Sequence, residues 1–259
     1  MKKNIFYRQY WRIGNVCDLT FLDLQLVYDG VIQNFTMVAR DDVALGFNNT
    51  AKTEMGTHWE LSPSGRFEIL ITAPDIDVAD AFLWTLDRSA GGLSNPARPV
   101  LQLIPDINAV TPAPMPPTVI NNITTMRVPT NLLAKTPAHH RIIDFFEGTA
   151  PDGSFLLMAT PRDQPHIPYA EQAYSNINAT QGTVEDWIVN NPTAATHHFH
   201  IHQMHYLLLA RNEIPVPLAE QQYYDSIDVV HGTNVTLRID FTGKAFYQVL
   251  IVLVKFNTS

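Results

Sequence analysis

Five of the ten histidines in this 259-residue chain fall within Thr196-His197-His198-Phe199-His200-Ile201-His202-Gln203-Met204-His205. Neutral imidazole is the commonest nitrogen ligand of transition metals, and copper and zinc both accept it. Side chains on a β-strand repeat every two residues, so His200 and His202 would share one face, about 7 Å apart at Cα. That separation lets both rings converge on one metal or on adjacent metals, and His198 has the same parity. Spacing alone says only that the segment is metal-capable; an adventitious metal patch or an interfacial histidine ladder would read the same way. The remaining histidines, His58, His139, His140, His166 and His231, are scattered and read as surface residues. The single cysteine, Cys17, permits neither an internal disulfide nor a cysteine-based zinc cluster.

The elements that must position these residues read as strands. Val235-Thr236-Leu237-Arg238-Ile239-Asp240-Phe241 alternates apolar and polar without a break, as does Leu22-Asp23-Leu24-Gln25-Leu26, and Arg66 to Thr72 comes close. Such alternation suits a strand with one face in a core and one in water. Helical spacing is scarce; Leu218 to Tyr224 is the best stretch and it is short. Seven of the 18 prolines lie between Pro105 and Pro137, and proline excludes a central strand or a helix interior. The expected organisation is therefore all-β, with domains at 1–104 and 138–259 joined by a proline-rich linker at 105–137. A weak internal echo supports two domains of one kind. Trp11-Arg12-Ile13-Gly14-Asn15 is followed by Gly65 opening a strand, and Asp186-Trp187-Ile188-Val189-Asn190 by Gly232 opening another. The apolar run from Phe246 to Val254 is expected to pair into the second sandwich, because a free edge of that kind invites aggregation.

Composition removes other classes. Seventeen Lys and Arg against 25 Asp and Glu give a formal charge of −8, which argues against a nucleic-acid binder, since phosphate contacts need clustered cations. No apolar run reaches the roughly 18–20 residues of a membrane helix. The N-terminus is basic but lacks the apolar segment of a secretory signal.

Gly182-Thr183-Val184-Glu185-Asp186-Trp187-Ile188-Val189-Asn190-Asn191, followed by His197-His198-Phe199-His200-Ile201-His202-Gln203, resembles the start of the last cupredoxin domain of multicopper oxidases. That family includes laccases, copper-resistance oxidases and bilirubin oxidases. Its usual motif is His-Pro-x-His-x-His after a Gly-Thr-Val-Glu-x-Trp strand, so His198 stands in place of proline. Trp11 to Asn15 with Phe21-Leu22-Asp23-Leu24, Thr36 to Asp42, and Leu61 to Glu68 are similar to the family's middle domain. The resemblance implies two cupredoxin-like Greek-key β-sandwich domains and copper as the cofactor. It implies that His197 is a ligand of the mononuclear blue copper, that His200 is a ligand of the lone copper of the trinuclear cluster, and that His202 is a ligand of its copper pair. The family reaction oxidises a small-molecule reductant and reduces dioxygen to water, usually in the periplasm or outside the cell.

Parts of the family pattern are missing. The residues before Trp11 are too few for a first domain, and no His-x-His precedes the cluster. The His-Cys-His motif expected after Gly243 is replaced by Ala245-Phe246-Tyr247-Gln248-Val249-Leu250-Ile251-Val252-Leu253-Val254-Lys255. A blue-copper site needs a thiolate, so the chain alone is expected to be inactive as an oxidase, and a truncated or frame-shifted gene product would explain both ends. A non-catalytic cupredoxin-type copper-binding or scaffold module is the alternative, with other chains as candidate partners. In the family the His200–His202 face meets the first domain, so both rings are expected to be substantially exposed. Glu185 and Asp186 are read as solvated strand residues or, less simply, as groups orienting the imidazoles. Cys17 and Met204 are read as packed core residues, His205 as a surface or packing residue, and Asp225 and Asp228 as structural.

Overall fold

The computed structural model describes residues 8–17, 20–47, 50–88, 95–104, 131–149, 155–164, 177–242 and 255–256. The chain divides into two compact units, Met1–Pro129 and Thr130–Ser259. Among the described residues the only helical elements are two 3-10 turns, Leu132–Ala134 and Leu218–Glu220, and the all-β class holds.

In the first unit, β1 (Arg8–Gly14), β2 (Leu22–Tyr28), β3 (Val31–Gln33), β4 (Phe35–Arg40) and β5 (Val43–Ala44) are followed by β6 (Gly46–Phe47), β7 (Thr50–Ala51) and β8 (Glu54–Gly56). Then come β9 (His58–Leu61), β10 (Arg66–Thr72), β11 (Ala81–Thr85) and β12 (Arg98–Gln102). One sheet runs β1-β10-β4-β5 with β8 on β4, and the other β12-β11-β2-β3 with β9 on β2. Neighbours distant in sequence make this a Greek-key sandwich. Leu24, Leu26 and Leu83 from one sheet meet Met37, Phe67 and Ile69 from the other in a single core. The hairpins β2–β3 and β4–β5 turn on two residues with positive φ, Asp29-Gly30 and Asp41-Asp42, whose twist matches that of the flanking strands.

The second unit contains β13 (His139–Thr149), β14 (Phe155–Pro161), β15 (Val184–Asn191), β16 (His197–His200) and β17 (Tyr206–Arg211). It continues with β18 (Ile214–Pro215), β19 (Tyr223–Tyr224), β20 (Ser226–Val229), β21 (Thr233–Asp240) and β22 (Lys255–Phe256). The large sheet runs β18-β17-β21-β15-β13-β14-β22, with β19 on β17, and the β16–β20 ribbon forms a separate layer. All pairs in the large sheet are antiparallel except β13 with β15, which run parallel. Val235, Leu237 and Ile239 of β21 are buried and alternate with partly exposed residues, as the sequence pattern requires. They pack with Trp187, Phe199, Tyr206, Ile227 and Val229, so the ribbon is held to the sheet by one apolar core.

Of the stretch expected as a linker, 105–130 lies outside the described residues. From Asn131 onward it packs on the second unit. The Leu132 amide donates to the Tyr223 hydroxyl at 3.1 Å, and Arg238 donates to the carbonyls of Leu132, Leu133 and Lys135 at 3.4, 3.4 and 3.0 Å. The run from Phe246 to Val254 lies outside the described residues; beyond it, Lys255 and Phe256 pair with Leu156 and Phe155.

Two readings of individual residues are corrected. Cys17 is exposed. The Asn15 side chain accepts the Cys17 amide at 3.1 Å, and this tight turn ends β1 and turns the cysteine out of the core. Glu185 and Asp186 are not solvated, and their hydrogen-bond partners are arginines rather than the histidines of the 197–205 segment, although Asp186 lies 3.9 Å from the exposed His140. Both are buried and paired with arginines from neighbouring strands: Arg141 to Glu185 at 2.6 and 3.1 Å, Arg238 to Asp186 at 2.7 and 2.8 Å.

Candidate metal centre

The histidine segment enters as β16, antiparallel to β20, with His197 opposite Val229, Phe199 opposite Ile227 and His200 opposite Ser226. Apolar anchors fix its orientation. Phe199 and Ile201 are fully buried, and Phe199 packs edge-on to Trp187 and against Tyr206, whose hydroxyl donates to the Phe199 carbonyl at 3.1 Å. Positions 197, 199 and 201 thus face the core, while His198 and His200 take the opposite face of the strand.

His197 is nearly enclosed, its side chain 7% exposed, with its ring 5.3 Å from that of Phe145. Its Nε2 lies 2.8 Å from Glu147 Oε1 on β13. Burial pushes His197 below the usual imidazole range, and the Glu147 carboxylate pulls only part of the way back. Burial thus favours the neutral ring, the form that ligates a metal.

His200 closes the strand. Its Nδ1 donates to the Asp225 backbone carbonyl at 2.9 Å, with the Asp225 carboxylate 3.5 Å away. The Ile201 amide donates to the same carbonyl at 3.0 Å. Beyond Ile201 the chain leaves the strand, and Gln203 adopts a left-handed φ of 68°. His202 therefore sits in a bend, not on the His200 strand face. The rings still meet, with centroids 4.9 Å apart and planes tilted by 58°. The expected exposure holds for His202 alone. Asp225 covers His200, leaving its side chain 11% exposed. Met204 is buried in the core as expected, and His205 stands partly exposed, 3.9 Å from the Asp225 carboxylate. Of the five scattered histidines, His58, His139, His140 and His231 are exposed and His166 lies outside the described residues.

The structure thus brings His200 and His202 together and keeps His197 apart from them, on the core-facing side. Among the described residues, no three His, Cys, Asp or Glu side chains gather into a metal-binding group. Two partners of the histidines escape sequence reading. Glu147 lies 50 residues from His197, in a strand where a lone carboxylate reads as solvated. Asp225 acts on His200 mainly through its backbone, which no side-chain pattern reports.

The sequence profile of the family described as multicopper oxidase matches residues 144–248. No curated protein matches the chain significantly in sequence. Solved structures similar in fold include the McoA multicopper oxidase 2F4 variant from the hyperthermophile Aquifex aeolicus, at 18% identity and TM-score 0.61 over 92% of this chain and 50% of that one. The multicopper oxidase of Campylobacter jejuni, described as a metallo-oxidase, aligns at 21% and 0.60 over 89% and 47%. The laccase-like multicopper oxidase CueO of Ochrobactrum sp. aligns at 17% and 0.64 over 91% and 49%. The chain spans about half the length of these structures. Residues 144–248 are thus similar in sequence to the multicopper oxidase family, and the chain is built on the cupredoxin-like β-sandwich fold that its solved neighbours share.

Proposed function

We propose that this chain binds copper through His197, His200 and His202, and that the 259 residues alone do not couple oxidation of a reductant to reduction of dioxygen. The observation that carries the first part is the His200–His202 pair, two imidazoles with ring centroids 4.9 Å apart. The donors fit copper. His200 spends its Nδ1 on a backbone carbonyl, which leaves Nε2 with a free lone pair, and His202 is exposed to an incoming ion. A pair of imidazole donors favours Cu(II) over Zn(II) in the divalent series. Bound copper would supply the one-electron acceptor that the side chains lack.

The donors do not fit a blue-copper site at His197. Such a site needs a thiolate, and the one cysteine, Cys17, is exposed in the first unit. That mismatch favours the second reading, a non-catalytic cupredoxin-type copper-binding or scaffold module. In either reading the family reaction, with its small-molecule reductant and dioxygen, would require ligands from beyond these residues, and association with other chains is one source of histidines. We place the chain in the periplasm or outside the cell, following the family.

The test is a Cu(II) titration of the purified chain beside a His200→Ala/His202→Ala double variant. The double variant is expected to lose the tightest binding step, and equal binding by both proteins would remove the pair as a site. An intense visible band or dioxygen uptake by the copper-loaded chain would overturn the proposed inactivity.

A further inference from the structure

We propose that the outward face of the β12-β11-β2-β3 sheet binds a neutral oligosaccharide, stacked on Trp84 and held at its hydroxyls by Gln25 and His58. This site owes nothing to the copper reading, whose histidines lie in the second unit. On β11 the core takes Ala81 and Leu83, so Phe82 and Trp84 point the other way and stay partly exposed. Their rings stand edge to face, with centroids 6.2 Å apart. Strand register extends each of them into a row. Val27 of β2 and Ile32 of β3 continue an apolar row from Phe82, and Gln25 of β2 and His58 of β9 continue a polar row from Trp84.

Apolar side chains gathered on the solvent side of a sheet mark a contact surface. Three neighbouring strands and two rows make a patch of about 15 Å by 10 Å. That falls far short of the roughly 800 Å² that each partner buries in a stable protein interface, and it suits a small ligand. The polar row fits hydroxyl groups. The Gln25 amide and the Trp84 indole N–H have no hydrogen-bond partner among the described residues, and His58 commits only Nδ1, 2.7 Å from Asp23 Oδ1. An amide both donates and accepts, as a hydroxyl does. The charges bordering the row are matched, Asp23 against His58 and Glu60 against Arg88 at 2.9 Å. A row with no spare charge recognises a neutral ligand rather than an anion or a cation. A pyranose completes the match: its C–H faces meet the negative face of an indole, and its edges carry the hydroxyls.

The experiment is calorimetric titration of the full chain with cellohexaose, xylohexaose and mannohexaose, with phenol as a comparator that offers a ring and little else. At least one hexasaccharide should bind. Trp84→Ala should weaken that binding about tenfold or more, Trp84→Tyr should keep most of it, and Gln25→Ala should weaken it severalfold. Urea unfolding shows which variants keep the first unit intact, and if Trp84→Ala does not, Gln25→Ala and Trp84→Tyr carry the test. Absence of binding by all three hexasaccharides at millimolar concentration overturns the proposal. So does unchanged binding by folded Trp84→Ala and Gln25→Ala, or phenol binding as tightly as the best hexasaccharide. Sedimentation of the same samples covers the remaining occupant: a concentration-dependent dimer that the Trp84 variants abolish would assign the face to a second copy of the chain and overturn the proposal as well.

Discussion

Asn15 and Asn191 occupy equivalent places in the two units. Each accepts the backbone amide two residues ahead, Cys17 and Thr193, at 3.1 Å. The Nδ2 of Asn15 donates to the carbonyls of Thr20 and Leu61, and that of Asn191 to those of Ala195 and Val229. Four residues before each stands a tryptophan whose indole donates two residues back, Trp11 to Gln9 and Trp187 to Glu185. The internal echo in the sequence is thus a repeated device that ends one strand and ties it to the segment before a glycine or serine turn. Its register pairs Asn15 with Asn191, one residue beyond the Asn190 that the sequence alignment suggested.

Asn191→Ala should destabilise the second unit by about 2–4 kcal/mol, because it leaves the buried carbonyl of Val229 and the partly buried carbonyl of Ala195 without that donor. Urea unfolding followed by Trp187 fluorescence measures this. Asn15→Ala should leave that transition in place and weaken the first unit.

Phe199→Ala should cost about 3–5 kcal/mol, the range for emptying a fully buried aromatic site. Because Phe199 lies between His197 and His200 on one strand, copper binding should weaken together with stability. A variant that loses one and keeps the other would show that the imidazoles are positioned by something else.

Acid should destabilise the second unit through Glu185 and Asp240. Burial pushes Glu185 up, but hydrogen bonds from Arg141 and Trp187 and the Arg141 charge more than reverse this, and its folded value lies below the usual range. Asp240 follows the same pattern with Lys135 and Thr242. Unfolded carboxylates titrate at roughly pH 4. The stabilisation is therefore complete above that range and is lost as pH falls through the lowered folded values. Unfolding midpoints between pH 7 and pH 3 should drop, and Glu185→Gln should start lower and fall less steeply.

Cys17→Ser should change stability by no more than about 0.5 kcal/mol, as for exposed positions without special contacts. It should leave the absorption spectrum of the copper-loaded chain unaltered. A visible band that disappears in the serine variant would place a thiolate on the metal.

The alternation along β21 and β2 was legible because burying one face of a strand imposes a period of two on its sequence. The histidine segment was legible as metal-capable, but its bend was not. Ile201 is drawn into the core by packing, and Gln203 takes a left-handed conformation that glutamine does not advertise. Glu185 and Asp186 misread as solvated because their burial is decided by Arg141 and Arg238, which arrive from other strands. Cys17 misread as core because a small apolar thiol carries no signal of the turn that expels it.

The fork of Arg238 has a practical bearing on how the chain can be divided. One arm grips Asp186 and the other reaches three carbonyls between Leu132 and Lys135. The second unit thus owns a stretch of backbone that lies ahead of its first strand. A recombinant fragment cut at residue 138 would strip those acceptors and leave the Arg238 guanidinium half-satisfied and the Tyr223 hydroxyl without the Leu132 amide. Cutting at Thr130 would keep the clasp whole, and that is where a separable module, or a crossover between homologous genes, would do least harm.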